Sequence, residues 1–189
     1  TSALRKGMHV SSIPRNKRKN PCITPRRVLR RATIADSFER MIRQDTLRVL
    51  LVEDDPAHLE QYLTNLAGDP SLANVGGYST GKAALEAVAA LAPDVALVDL
   101  GLPDMEGFDL IRGLRARSPS TDVLVVSVFA SEYHLLSAIE AGATGYLLKD
   151  AGAPDFNAAI HAVHAGESPI SPALARHLLR RCIGMAPAN

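Results

Sequence analysis

The sequence predicts an α/β fold in which one parallel β-sheet is covered by helices on both faces. Three observations support this prediction. Between residues 47 and 165, short apolar runs alternate five times with segments of helical period. The first, third and fourth runs are almost wholly apolar, as strands buried on both faces must be. Each run is followed by a helical segment long enough to cross over the sheet before the next parallel strand.

The predicted strands are the five apolar runs, of which the second is the weakest: Leu47 to Val52, Ala73 to Tyr78, Val95 to Val98, Val123 to Val126, and Gly145 to Leu148. Helices are expected between and after them, on four apolar stripes and on residues 131–141. The stripes are Leu59, Tyr62, Leu63, Leu66; Leu85, Val88, Ala89, Ala92; Gly107, Leu110, Ile111, Leu114; and Phe156, Ala159, Ile160, Val163. Beyond Gly166, a Ser- and Pro-containing break precedes a further amphipathic helix, Ala173 to Cys182.

Charge divides the chain unevenly. Residues 1–31 carry ten Lys/Arg and no acidic residue, whereas the remainder has a net charge of −9. We therefore expect a basic, disordered extension over residues 1–45, a globular domain over 46–166, and a linker helix and tail over 167–189. The extension is either a solvated tail or an arm that neutralises nucleic-acid phosphates, and the lack of aromatic residues beside the charges favours the tail. No apolar run approaches membrane-spanning length, so a cytoplasmic location and no membrane contact are expected.

Polar side chains that could form a site follow the predicted strands. Glu53 and Asp54 follow the first strand, Asp99 the third and Lys149 the fifth, while Ser127 ends the fourth. Ligands of open parallel sheets bind at this carboxyl edge. Acids on adjacent strands repel one another unless a cation lies between them, and Mg²⁺ suits such an oxygen-rich site.

Each of these residues has an ordinary structural explanation when it is taken alone. Asp99 could cap a turn or helix, Glu53 to Asp55 could cap the first helix before Pro56, and Lys149 could be a surface lysine. Their common position favours a site. A carboxylate beside a metal ion and an ammonium can attack an activated phosphoryl group and form an acyl phosphate.

Three motifs carry a resemblance to a known family. They are Val-Leu-Leu-Val-Glu-Asp-Asp-Pro, Pro-Asp-Val-Ala-Leu-Val-Asp-Leu-Gly-Leu-Pro-Asp-Met-Glu-Gly-Phe, and Ala-Gly-Ala-Thr-Gly-Tyr-Leu-Leu-Lys-Asp. Over about residues 47–165 the chain resembles the receiver domain of two-component response regulators. The resemblance implies a flavodoxin-like, doubly wound sheet of order 2-1-3-4-5 with five helices, and a signalling domain that is not an enzyme.

The resemblance also implies a role for each site residue. Asp99 would be the phosphoacceptor, and Mg²⁺ would be held by Glu53, Asp54, Asp99 and the backbone carbonyl of Gly101. The residues that bind the phosphoryl group and respond to it would be Ser127, Tyr146 and Lys149. A sensor histidine kinase would be the phosphoryl donor.

Two features depart from many family members. Asp150 follows Lys149 where a cis-proline is common, and we expect a trans bond because a non-proline cis bond costs about 2.5 to 4 kcal/mol.

The stretch from Ala165 to Arg181 resembles the linker of LuxR-type transcriptional regulators, which leads to a helix-turn-helix module. We expect that DNA-binding output domain to be absent from this chain, and phosphorylation to promote a homodimer. DNA would then be bound only through the absent domain, for transcription regulation.

Other functions fit the sequence less well. A haloacid-dehalogenase-type phosphatase usually has Asp-x-Asp at its nucleophile, but Leu100 and Gly101 follow Asp99. An FMN-binding flavodoxin needs a phosphate loop after the first strand, where Glu53 and Asp54 would repel phosphate. A pseudo-receiver would lack a site residue, and none is missing; a stand-alone receiver acting through protein–protein contacts stays open. His161 and His164 are expected to be solvated residues of the last receiver helix.

Overall fold

Five parallel strands form the sheet in the computed structural model, which describes residues 46–149 and 155–184, with side chains described up to residue 180. The strands are β1 Leu47–Val52, β2 Leu72–Tyr78, β3 Val95–Val98, β4 Asp122–Ser127 and β5 Gly145–Leu148. Their order is β2-β1-β3-β4-β5, so the predicted topology is confirmed. The predicted N-terminal extension and the Lys149–Asp150 bond lie outside the described residues.

Six helices accompany these strands in the described ranges. They are α1 Pro56–Ala67, α2 Gly81–Leu91, α3 Gly107–Arg117, α4 Glu132–Ala141, α5 Phe156–His164 and α6 Pro172–Gly184. The start of α1 shows why the sequence folds in this way: Asp55 accepts a hydrogen bond from the Ala57 N–H at 2.8 Å, and Pro56 occupies the first helical turn. No described helix is both long and apolar enough to cross a membrane.

The apolar side chains form two cores, one on each face of the sheet. Alternate residues of β1 point to opposite faces, so that Leu50 belongs to one core and Leu51 to the other. Helices α1 and α5 cover the face of Leu51, while α2, α3 and α4 cover the face of Leu50. Burial on both faces explains why the central strands are apolar at nearly every position.

A segment beyond α5 pairs with the outer edge of β5. Tyr146 donates its N–H to Pro169 O at 2.9 Å and accepts at its own carbonyl from the Ser171 N–H at 3.0 Å. The segment leads into α6, whose Leu174 is fully buried in the core beside α4. The edge of the sheet is therefore closed by the chain itself.

Two strands extend beyond the predicted apolar runs. β2 begins at Leu72, and β4 includes Asp122 and Ser127 because these polar residues pair with Val95 and Leu148. An apolar run marks the buried part of a strand, whereas backbone hydrogen bonds define its length.

His161 is solvated, with 41% of its side chain exposed, but it also has polar partners that the sequence did not indicate. Its Nε2 lies 2.9 Å from Asp69 Oδ2 and 3.3 Å from the Ser71 hydroxyl, which donates to Asp69 Oδ1 at 2.5 Å. These contacts connect α5 to the loop before β2. The pairing of distant residues in space could not be read from the helical period of α5.

Candidate functional site

The register of the sheet places two carboxylates side by side at its carboxyl edge. Val52 of β1 pairs with Val98 of β3, so Glu53 and Asp99 leave the sheet at the same level. The Asp99 N–H donates to Val52 O at 2.9 Å, which fixes the start of this loop. Both side chains are buried, and Glu53 is only 1% exposed. Two buried carboxylates so close together require a positive charge nearby.

Lys149 supplies that charge from the neighbouring end of β5. Its backbone N–H donates to Ser127 O at 3.0 Å, which positions the residue just beyond the strand. The Nζ atom donates to Asp99 Oδ2 at 2.8 Å and to Glu53 Oε1 at 2.9 Å, and lies 2.8 Å from Glu53 Oε2. The ammonium thus bridges the two carboxylates in a buried ion pair.

The pKa values of this cluster reflect the competition between burial and pairing. Burial raises the pKa of Glu53, and the hydrogen bond and charge of Lys149 only partly offset that effect. Burial acts to lower the pKa of Lys149, but the hydrogen bonds and charges of Asp99 and Glu53 outweigh it, so the pKa of Lys149 is raised. The ammonium is therefore held in its charged form at the site.

The carboxylates also meet the requirements of a divalent metal site. One oxygen each from Glu53, Asp54 and Asp99 lies within 4.8 Å of the others, and Asp54 is exposed to solvent. Asp99 Oδ1 is buried and makes no hydrogen bond of standard geometry. Gly101 lies in the loop beyond Asp99. A Cβ atom built on Gly101 would lie 3.7 Å from Asp99 Oδ2, so this residue is adjacent to the carboxylate. This oxygen donor set fits a hard cation such as Mg²⁺.

Ser127 and Tyr146 occupy the neighbouring strands β4 and β5. Ser127 is fully buried, and its hydroxyl oxygen makes no hydrogen bond of standard geometry. The Tyr146 hydroxyl donates to Phe129 O at 2.7 Å, beneath the loop that follows β4. Burial raises the pKa of Tyr146, a hydrogen-bonding interaction with Ser127 partly opposes this, and the charge of Asp99 adds to it, so the phenol interacts with both groups. The structure thus connects the acidic cluster to the β4–α4 loop.

Helix α1 contributes two side chains that the sequence analysis did not assign to the site. His58 Nδ1 lies 3.3 Å from Lys149 Nζ and 3.6 Å from Glu53 Oε1. Tyr62 lies one turn further along the helix. Its pKa is raised mainly by burial, and the charges of Glu53 and Asp99 raise it further. His58 and Tyr62 are four residues apart, so they lie on the same face of a helix that starts just after β1. This spacing was the feature of the sequence that could have indicated their place beside the site.

Comparison with known proteins gives an independent view of the chain. The sequence profile described as "Response regulator receiver domain" matches residues 49–161. The nitrate/nitrite response regulator NarL of Escherichia coli K12 is 35% identical over 134 residues, covering 71% of this chain and 62% of that protein. The DNA-binding transcriptional activator DevR/DosR of Mycobacterium tuberculosis is 34% identical over 140 residues, covering 74% of this chain and 64% of that protein.

A solved structure agrees with these matches. The crystal structure of a LuxR-family two-component response regulator from an Aurantimonas species superimposes with a TM-score of 0.69 at 28% identity, covering 73% of this chain and 99% of that one. The chain spans somewhat less than two thirds of the length of the two curated relatives.

The doubly wound sheet with an acidic pocket and a lysine at its carboxyl edge defines a receiver domain. The chain belongs to the response regulator receiver family of two-component systems, and within it is similar to the NarL and LuxR group, as its motifs predict. A phosphoacceptor role is standard in this family, and its receiver domains are in general signalling domains without enzymatic activity.

Proposed function

We propose that Asp99 accepts a phosphoryl group from the phosphohistidine of a sensor histidine kinase. A carboxylate oxygen of Asp99 forms the new bond to phosphorus while the phosphorus–nitrogen bond of the donor breaks, and the electron pair of that bond stays on the histidine ring. The observation that supports this most directly is the buried Asp99 carboxylate, which has one oxygen held by Lys149 and the other without a hydrogen bond. A carboxylate in this state can act as a nucleophile.

The surrounding side chains are suited to the charge that arrives with the phosphoryl group. Lys149 Nζ lies 2.8 Å from Asp99 Oδ2, where its positive charge can offset the negative charge of the phosphoryl oxygens. The buried Ser127 hydroxyl is available as a donor to a second oxygen. Tyr146 would respond through its contact with Phe129, which lies in the loop beside Ser127.

Magnesium is the cofactor that the donor set fits. Glu53, Asp54, Asp99 and the carbonyl of Gly101 would hold it. When bound, Mg²⁺ supplies positive charge that offsets the repulsion between the acidic cluster and an anionic donor. Lys149 orients the Asp99 carboxylate through its hydrogen bond at 2.8 Å, and the surrounding residues leave Asp99 only 8% exposed.

Phosphorylation of purified protein by acetyl phosphate with Mg²⁺, read as intact mass, tests this proposal. Wild type is expected to gain one phosphate, and Asp99→Asn none, because the amide cannot form the acyl phosphate. The control is Asp109→Asn, which removes an exposed carboxylate of α3 and should leave labelling intact. A chelator should abolish labelling. Equal labelling of wild type and Asp99→Asn, or full labelling without metal, would contradict the assignment.

The output of the complete regulator is also a proposal. Residues 46–166 would form the receiver, and residues 167–189 the linker to a DNA-binding domain that controls transcription, supported by the similarity to a transcriptional activator. Phosphorylation would favour a homodimer. Because residues 169–171 already pair with β5, a second copy would contact helical surfaces, such as the exposed Tyr133 and Ile139 of α4, instead of extending the sheet.

A further inference from the structure

Asp104 connects the loop that carries Asp99 to the start of a neighbouring helix. It lies in the β3–α3 loop, residues 99–106, between the end of β3 and the start of α3. Its Oδ1 accepts a hydrogen bond from the Gly81 N–H at 2.9 Å, and its Oδ2 accepts one from the Lys82 N–H, also at 2.9 Å. A carboxylate from a distant part of the chain therefore caps the first turn of α2.

Helix α2 uses this cap in place of one from its own N-cap residue. Thr80 occupies the N-cap position with an extended backbone, but its side chain makes no capping hydrogen bond. The first N–H groups of a helix have no partner within the helix and are usually satisfied by that residue. The N–H groups of Lys82 and Gly81 lower the pKa of Asp104, so its carboxylate is ionised and held in place although the residue is exposed.

The β3–α3 loop also packs closely against its surroundings at two points. A Cβ atom built on Gly107 would lie 2.5 Å from Leu100 Cα, so a larger residue there would displace the loop backbone. A Cβ atom built on Gly81 would lie 2.6 Å from Met105 Sδ, so the residue beside Asp104 rests directly on the start of α2. The loop is therefore fixed at its beginning by α3 and near its end by α2.

Gly101 lies between these two points and has no hydrogen bond of its own. Neither its N–H nor its carbonyl is bonded to another residue in the part of the chain that the structure describes. Its place beside the Asp99 carboxylate therefore depends on how the loop is held on either side. Beyond Gly101, the hydrogen-bonded anchor is Asp104.

We propose that Asp104 is a positioning residue that holds the β3–α3 loop to α2 and so keeps the Gly101 carbonyl in place for Mg²⁺ beside Asp99. The inference rests on the proposed function, which places Mg²⁺ at this site. It assigns to Asp104 no contact with the metal ion or with the phosphoryl group. Without the anchor, the loop would have to be ordered when Mg²⁺ binds, and the entropy lost in ordering it would weaken binding.

Titration of the full chain with Mg²⁺, followed through the Gly101 amide resonance in ¹H–¹⁵N NMR spectra, tests this inference. Asp104→Ala is expected to weaken Mg²⁺ binding about tenfold, the lower end of the loss seen when an outer partner of a metal ligand is removed. Asp104→Asn keeps one acceptor oxygen and should give an intermediate affinity. The control Asp109→Ala also removes one exposed carboxylate, from α3, and should bind Mg²⁺ as wild type does.

Thr80→Asp, added to Asp104→Ala, separates the position of the loop from the stability of α2. An aspartate at the N-cap position can cap α2 without contacting the loop, and the double variant has the net charge of wild type. The melting temperature should fall in Asp104→Ala and recover in the double variant, whereas Mg²⁺ binding should remain about tenfold weaker in both.

Two results would overturn the inference. One is equal Mg²⁺ affinity of wild type and Asp104→Ala. The other is recovery of Mg²⁺ affinity together with the melting temperature in the double variant, because Asp104 would then act only through the stability of α2. Failure of wild type itself to bind Mg²⁺ would contradict the metal site of the proposed function, and the inference with it.

Discussion

At the scale of single residues, Asp69 is held by more partners than any sequence pattern indicates. Hydrogen bonds from the Ser71 side chain and from His161, together with the Ser71 N–H, lower the pKa of Asp69 to about 2. A carboxyl whose folded pKa lies below its unfolded value of about 3.9 stabilises the protein above that value, and this stabilisation is lost as the pH falls toward 2. Asp69 therefore contributes to acid unfolding.

Asp69→Asn is expected to make the free energy of unfolding less dependent on pH between about 4 and 2, since the group that takes up a proton on unfolding is gone. Urea unfolding at a series of pH values measures this directly. Ser71→Ala removes the largest cause of the shift and should give intermediate behaviour. Identical pH dependence in wild type and Asp69→Asn would show that the cluster does not hold Asp69 ionised.

At the scale of elements, the segment before α6 acts as an additional edge for β5. The buried Ser171 hydroxyl accepts a hydrogen bond from the Leu148 N–H at 3.0 Å, one residue before the site lysine. The same segment exchanges backbone hydrogen bonds with Tyr146. The linker is thus hydrogen-bonded to β5, which contains Tyr146 and leads directly to Lys149. A displacement of β5 would therefore be transmitted to α6 through these hydrogen bonds.

Ser171→Ala is expected to lower the free energy of unfolding by about 1 to 2 kcal/mol, because it leaves the buried Leu148 N–H without its acceptor. Thermal or urea unfolding gives the value. The matched control is Ser168→Ala, three residues earlier in the same segment and exposed. A loss in Ser168→Ala as large as that in Ser171→Ala would assign the effect to the segment in general and not to this hydrogen bond.

At the scale of the whole molecule, charge is distributed in two opposite blocks. The basic block of residues 1–31 can attract nucleic acid, whereas the remaining chain carries a net charge of −9 and would repel it. Contacts made only to phosphates carry no base sequence information and weaken steeply with salt.

We therefore expect this chain to bind promoter and scrambled duplexes equally, and only weakly at about 150 mM salt. Replacing the ten Lys/Arg of residues 1–31 by Gln should remove the binding that is seen at lower salt. Fluorescence anisotropy with labelled duplexes measures both effects. A clear preference for the promoter duplex would mean that a base-reading element lies within the chain.

The amino-acid sequence alone was sufficient for the strand order, through its resemblance to receiver domains, and for the side chains that meet at the carboxyl edge. Strands that are buried on both faces are continuous apolar runs, which can be recognised in the sequence. The residues of a site at the ends of such strands follow directly along the chain, so they can be recognised in the same way. Glu53, Asp99 and Lys149 were predicted in this way. Helix α1 was predicted too, but not the approach of His58 and Tyr62 to the same cluster.

Only the tertiary structure decided which groups pair across the fold. The bridge from Lys149 to two carboxylates, the contact of His161 with Asp69 and the closure of β5 by residues 169–171 join segments that are far apart in sequence. Local periodicity reports which face of an element is buried, because burial depends on the residue itself. A hydrogen bond depends in addition on the distance and direction of a second group, which are set by packing of the elements against one another.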